Sequence, residues 1–207
     1  MRVDFLQLKR RYGLWSTHID PARIVYRRRK DEWPAYVKHW PFLACPGAWD
    51  LSDTEYAPFR LEQMQQLFEE NLPYQETVFY RRMLDELERN GVTHAPKLAS
   101  RTAVDAYFSR LEDLYKSMRE HGFQARSPQQ LQQEREITIR VGRDGTVIKS
   151  GEGTHRLALA RILGFKRVPV VVDLVHTQWV RACIRRFEEA PLRAVQLGLE
   201  SLSTDTE

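Results

Sequence analysis

Residues 144–164 read Asp-Gly-Thr-Val-Ile-Lys-Ser-Gly-Glu-Gly-Thr-His-Arg-Leu-Ala-Leu-Ala-Arg-Ile-Leu-Gly, and this stretch decides the fold. It is a strand, a loop bracketed by Gly151 and Gly153, and a helix that opens on Thr154-His155-Arg156. Glycines in such a loop let the backbone approach a ligand closely and take positive φ where needed. The N–H groups of Thr154, His155 and Arg156 then gather at the positive end of a helix, which suits an anion such as a phosphate. Arg156 offers a planar fork that pairs two phosphate oxygens at once. His155, with an ordinary pKa of about 6.5, can donate to a phosphate or serve as acid or base; the plain alternative is a polar residue at a helix start. Thr154 adds a hydroxyl donor or simply caps the helix. Glu152 stands inside the loop, where a carboxylate next to phosphate needs a bridging Mg²⁺ or a role as base; otherwise it points to solvent. Glu134 and Glu136 are further candidates for metal binding or base catalysis. Arg140 and Lys149 are spare positive charges, although alternation with Ile148 would turn Lys149 to solvent.

Outward from this stretch, residues 136–141 alternate apolar and polar side chains, so a strand with one buried face is expected. A turn follows at Arg143-Asp144-Gly145. After Gly164 the run Phe165-Lys-Arg-Val-Pro-Val-Val-Val-Asp173 reads as a return strand, and its continuous apolar part at 168–171 implies cover on both faces. With its Gly-x-His-Arg signature between strand and helix, and a Val-Pro-Val strand behind it, the region 134–175 resembles the ParB/sulfiredoxin-like superfamily. Within it, the Gly142-Arg-Asp-Gly145 turn and His155-Arg-Leu-Ala158 helix resemble a microbial group to which no particular reaction attaches. The resemblance implies a nucleotide triphosphate held against the loop and helix start. Superfamily members include CTP-hydrolysing DNA-partition clamps, ATP-using sulfinic-acid reductases and free-serine kinases.

Departures from the pattern narrow these options. Sulfiredoxins carry a nucleophilic cysteine immediately before the His-Arg pair; this chain has Thr154, and a hydroxyl without an adjacent base is a far poorer nucleophile. Partition proteins carry Arg where this chain has His155, and a helix-turn-helix module after the nucleotide domain. About thirty residues follow Val175 here, too few for that module.

At 207 residues, with 42% hydrophobic and 29% charged residues, the chain has the composition of an ordinary globular protein. No apolar run approaches the ~20 residues of a membrane span, and the N-terminus lacks a signal-like apolar region. Cys45 and Cys183 match no metal or redox spacing and read as reduced, buried thiols in a cytoplasmic protein. The net charge of +4 is uneven: residues 1–50 hold ten Lys/Arg against five Asp/Glu, and residues 51–90 hold four against nine. The basic surplus lies around Lys9-Arg10-Arg11 and Arg27-Arg28-Arg29-Lys30. It can attract nucleic acid, lipid headgroups or a phosphorylated substrate, or be a solvated face.

The organisation expected is α+β: a helical N-terminal region packed on a small ParB/sulfiredoxin-like α/β domain. Residues 1–58 form an irregular aromatic and basic region holding Trp15, Trp33, Trp40 and Trp49, which either pin loops to a core or stack on a ligand. Residues 59–133 form a helical region, with helices over 59–71, over 73–90 ending at Gly91, and over 100–121 opening on Ser100 and ending at Gly122. A short helix or linker opens at Ser127-Pro128. Residues 134–207 form the α/β domain, and its tail, 176–189 and 192–202, reads as one or two helices. The function expected is a nucleotide-dependent phosphotransferase or NTPase. Gly151, Gly153, Thr154, His155 and Arg156 bind ATP/ADP or CTP, Glu152 holds Mg²⁺, and Glu152 and His155 are the catalytic candidates. The acceptor would be a small hydroxyl compound. The alternative is a non-catalytic nucleotide- or nucleic-acid-binding protein that uses the same loop and the basic N-terminus.

Overall fold

A computed structural model describes residues 15–27, 32–51, 58–125 and 136–204. The basic residues at 9–11 and 28–30, the segment 127–131 and Glu134 lie outside the described residues. The chain is α+β with one mixed sheet, and it divides into two compact units.

The first unit takes Met1–Tyr56, Ala125–Thr154 and Phe165–Glu207. Its six described strands are β1 (Trp15–Ile19), β2 (Tyr26–Arg27), β3 (Ala44–Cys45), β4 (Ile137–Val141), β5 (Val147–Lys149) and β6 (Val168–His176). They run in the order β1-β6-β4-β5-β2, with β3 also on β6. β6 pairs antiparallel with β1 and parallel with β4 and β3. The β4–β5 connection is the tight turn expected: Asp144 Oδ1 accepts the Thr146 N–H at 3.0 Å, and Gly142 N–H meets the Thr146 carbonyl at 2.8 Å.

Burial along two strands differs from expectation. β4 is buried on both faces except at Arg140, because the loop after β5 folds back over its start. A Cβ on Gly151 would lie 3.3 Å from Thr138 Cβ, so the glycine backbone covers this polar residue, whose hydroxyl is satisfied by the Glu136 carbonyl at 3.0 Å. β6 instead alternates: Val168, Val170 and Val172 are buried, while Pro169, Val171 and Asp173 are half-buried. Its apolar run therefore overstates the cover on one face. Pairing also slips: Ile139 faces Val172 but Arg140 faces Leu174, leaving Asp173 as the extra residue of a bulge.

Trp33, Val37, Cys45, Trp49, Ile148 and Leu174 form a core cluster that includes the short helix α1 (Ala35–Lys38). Trp33 and Trp49 thus have a packing role, and the Trp49 indole N–H reaches the Cys45 carbonyl at 3.0 Å. A buried polar network ties this region to the hairpin. Asp50 accepts the Arg143 backbone N–H at 2.7 Å and two guanidinium bonds at 2.9 and 2.7 Å. Burial pushes the Asp50 carboxyl up, but the hydrogen bonds from Arg143 outweigh it and hold the carboxyl below its usual range. His176 closes β6 and caps the helix that follows. Its Nδ1 accepts the Gln178 N–H at 3.0 Å, and Nε2 donates to the Gly47 carbonyl at 2.8 Å. The tail forms two helices, Thr177–Phe187 and Pro191–Thr204, separated at Glu188 in left-handed conformation.

The second unit takes Ala57–Gln124 and His155–Gly164. It contains α2 (Pro58–Phe68), α3 (Val78–Asn90) and α4 (Arg101–His121). α5 (Thr154–Ile162) starts at the last residue of the first unit's middle segment and continues into this one. Ser100 caps α4 by accepting the Ala103 N–H at 3.1 Å, and Gly91 ends α3 at φ 69°. The single helix expected over 73–90 is instead a 3₁₀ turn, Tyr74–Glu76, followed by α3. Thr77 makes the break: its hydroxyl donates to the Tyr74 carbonyl at 2.7 Å and accepts the Tyr80 N–H at 3.2 Å. Apolar stripes pack Met64, Phe79, Met83, Val104, Phe108 and Leu111 inside this unit. No helix of the described residues is long and apolar enough to cross a membrane.

Candidate functional site

In the first unit the loop after β5 is organised from beneath. Lys149 is buried, not turned to solvent, and its Nζ donates to the carbonyls of both Gly151 and Glu152. A trans peptide points its C=O and N–H in opposite directions. With both carbonyls drawn to Lys149, the N–H groups of Glu152 and Gly153 turn the other way. Two successive N–H groups facing one way make a concavity that favours an anion. Gly153 is required where it stands. Its φ is +82°, and a Cβ there would lie 2.8 Å from the Ile137 backbone. The loop therefore rests directly on β4.

Glu152 and Gly151 are exposed, and Thr154 begins α5. The described residues contain no group of three or more His, Cys, Asp or Glu placed to hold a metal ion. A single exposed carboxylate fits a Mg²⁺ only where phosphate oxygens and water complete the shell. Ser150, which opens the loop, reaches Asp173 at 3.5 Å, and Asp173 in turn takes two bonds from Arg140 at 2.9 and 3.1 Å. Arg140 lies 4.1 Å over the Trp33 ring, so this charge belongs to an ion pair stacked on an aromatic face.

His155 and Arg156 belong to the second unit, where each has its own neighbours. His155 Nε2 lies 2.8 Å from the Tyr107 hydroxyl. Burial, and secondly the Arg60 cation, push the His155 pKa down to about 4, so the ring is neutral at pH 7. Burial also raises the Tyr107 phenol, against the pull of Arg60 and Gln63. Arg60 binds the Gln63 Oε1 at 2.7 Å, the Tyr107 hydroxyl at 3.0 Å and the Ala95 carbonyl at 3.0 Å. Gln63 is fully buried, and its Nε2 has no hydrogen-bond partner among the described residues. Arg156 is buried, donates to the Gln124 carbonyl, and stacks 4.2 Å over Phe123. Local spacing names His155 and Arg156. It gives no signal for Arg60, Gln63 or Tyr107, which come from α2 and α4, nor for the inward turn of Lys149.

The chain matches no protein-family model, no curated protein and no solved structure.

Proposed function

We propose that this chain binds nucleotide phosphates on the loop 150–154 and acts as a phosphotransferase or NTPase of the ParB/sulfiredoxin-like kind. The observation that supports it is Lys149, whose Nζ bonds the Gly151 and Glu152 carbonyls, so that the amide N–H groups of the same trans peptides point away from it. Anionic oxygens of ATP, ADP or CTP would meet those amides, with Mg²⁺ held between them and Glu152. Phosphoryl transfer asks mainly for such placement and charge neutralisation. A small hydroxyl compound is the acceptor in this reading. We propose a cytoplasmic location, in which the free, buried Cys45 and Cys183 stay reduced.

The test is calorimetric titration of ATP, ADP, CTP and GTP with Mg²⁺ into the native chain and into Lys149→Met. One nucleotide should saturate the native chain and bind at least tenfold more weakly to the variant, with the circular dichroism of the two unchanged. A folded native chain that takes up no nucleotide, or a folded variant that binds as well as native, sinks the reading.

Nucleotide binding without turnover is the second reading. It is favoured by the engagement of His155 with Tyr107 and of Arg156 with the Gln124 carbonyl, which leaves neither as a ready cation. Phosphate release from the bound nucleotide, assayed with and without hydroxyl compounds, separates the two. The nucleic-acid version draws on the basic residues 9–11 and 27–30; salt-sensitive uptake of an oligonucleotide is its signature.

A further inference from the structure

The helical unit surrounds His155 with groups that the loop chemistry does not use. Tyr107 of α4 stands against Nε2, and Arg60 of α2 stands against Tyr107. The phenol oxygen already accepts from Arg60, so its own proton must go to another neighbour. Two acceptors are near among the described residues. Gln63 Oε1 is 3.4 Å away, beyond a good O–H···O distance, and already takes Arg60 at 2.7 Å. His155 Nε2 is at 2.8 Å. The proton therefore points to Nε2, which must be bare to accept it. A neutral imidazole with a bare Nε2 carries its hydrogen on Nδ1.

We propose that Tyr107 and Arg60 are positioning residues that fix His155 as the neutral Nδ1–H imidazole, so that it offers one hydrogen bond from Nδ1 to an oxygen acceptor such as a phosphoryl or hydroxyl oxygen. His155 then acts neither as a cation nor as a base, because its basic nitrogen is occupied by the phenol. The use of Nδ1 toward a ligand rests on the phosphate reading; the tautomer does not. Gln63 belongs to the same device: with its Oε1 committed to Arg60, it keeps that guanidinium directed at Tyr107.

Long-range ¹H–¹⁵N correlation on the full labelled chain at pH 7 reads the tautomer directly, with the His155 signals assigned from their loss in His155→Gln. The native chain should show protonated Nδ1 and bare Nε2. Tyr107→Phe removes the donor and should shift the ring to Nε2–H or to a mixture. Arg60→Met, which frees the phenol oxygen to accept from the ring, should also give a mixture, and it serves where Tyr107→Phe fails to fold. A native His155 with Nε2–H, or a pattern unchanged in a folded variant, overturns the proposal. Nucleotide titration of the same native sample keeps the two ideas apart. An Nδ1–H ring with no nucleotide bound sinks the phosphate reading alone, and bound nucleotide with an Nε2–H ring sinks this proposal alone.

Discussion

His155 and Asp50 respond to acid in different pH windows, and the depressed carboxyls of Glu86 and Asp144 join the lower one. His155 is held near 4 in the folded chain against an ordinary 6.5. Its folded pKa lies below its unfolded one, so the unfolded chain gains a proton first as pH falls. The stability associated with neutral His155 is complete above pH 6.5 and is lost as pH falls toward 4, a loss on the order of 3 kcal/mol. Asp50 is also depressed, from 3.8, so its contribution is present above that value and is lost only as pH falls through the lower folded pKa. Urea midpoints measured from pH 7 to pH 3 should therefore fall in two stages. In His155→Gln the first stage should flatten while the second remains; a variant that keeps the full slope between pH 6.5 and 4 refutes the assignment. Residue spacing singled out His155 because it opens a helix behind two glycines. Spacing is silent about Tyr107, 48 positions earlier, and hence about the neutrality that burial imposes.

Elements were legible wherever a local hydrogen bond marks their ends. Ser100 and Gly91 are caps whose chemistry is contained within four residues, and both hold. Thr77 carries no such mark in the residue spacing, because its hydroxyl serves both the turn before and the helix after. Thr77→Ala should cost about 1 kcal/mol, seen in the thermal midpoint. Two glycines with positive φ give a sharper comparison. Gly91 at +69° has open space where a Cβ would go, and Gly153 at +82° has the Ile137 backbone there at 2.8 Å. Gly91→Ala should cost about 1 kcal/mol, the conformational penalty alone. Gly153→Ala adds a backbone clash and should cost at least about twice that, and under the proposed phosphate reading it should also abolish nucleotide uptake. Equal costs in chemical denaturation would mean that the loop lifts off β4 freely, and that the orientation of its amides is not held. The burial of β4 shows why a period of two misled there, while on β6 a continuous apolar run hid an alternation of buried and half-buried residues. Alternation reports the faces of a strand only when cover is uniform along it, and on β4 a glycine loop covers Thr138.

At the scale of the molecule, the sheet is assembled from segments far apart in the chain. β1 lies between residues 15 and 19 and finds its partner in β6, at 168–172. Strands of two residues such as β2 and β3 have no period to read, so residues 1–58 looked irregular although part of them lines the sheet. That pairing is a property of the closed structure and leaves no local trace. It does make a definite distribution of stability. β4 and β6 are bonded along both edges, β4 by β5 and β6, and β6 by β4 together with β1 and β3. An amide on such a strand exchanges only when the sheet opens as a whole, whereas β2 is a two-residue pairing on β5 that can fray alone. Native-state hydrogen exchange should accordingly find the slowest sheet amides in Ile137–Val141 and Val168–His176, with Tyr26–Arg27 much faster. Ile139 is fully buried at the centre of β4, so Ile139→Ala should cost roughly 2–5 kcal/mol. Because these strands open together, that loss should accelerate exchange on β4 and β6 by the same factor. A variant that accelerates β4 but leaves β6 at its native rate would show that β6 is held by β1 and β3 without β4, contrary to the central place this topology gives the pair.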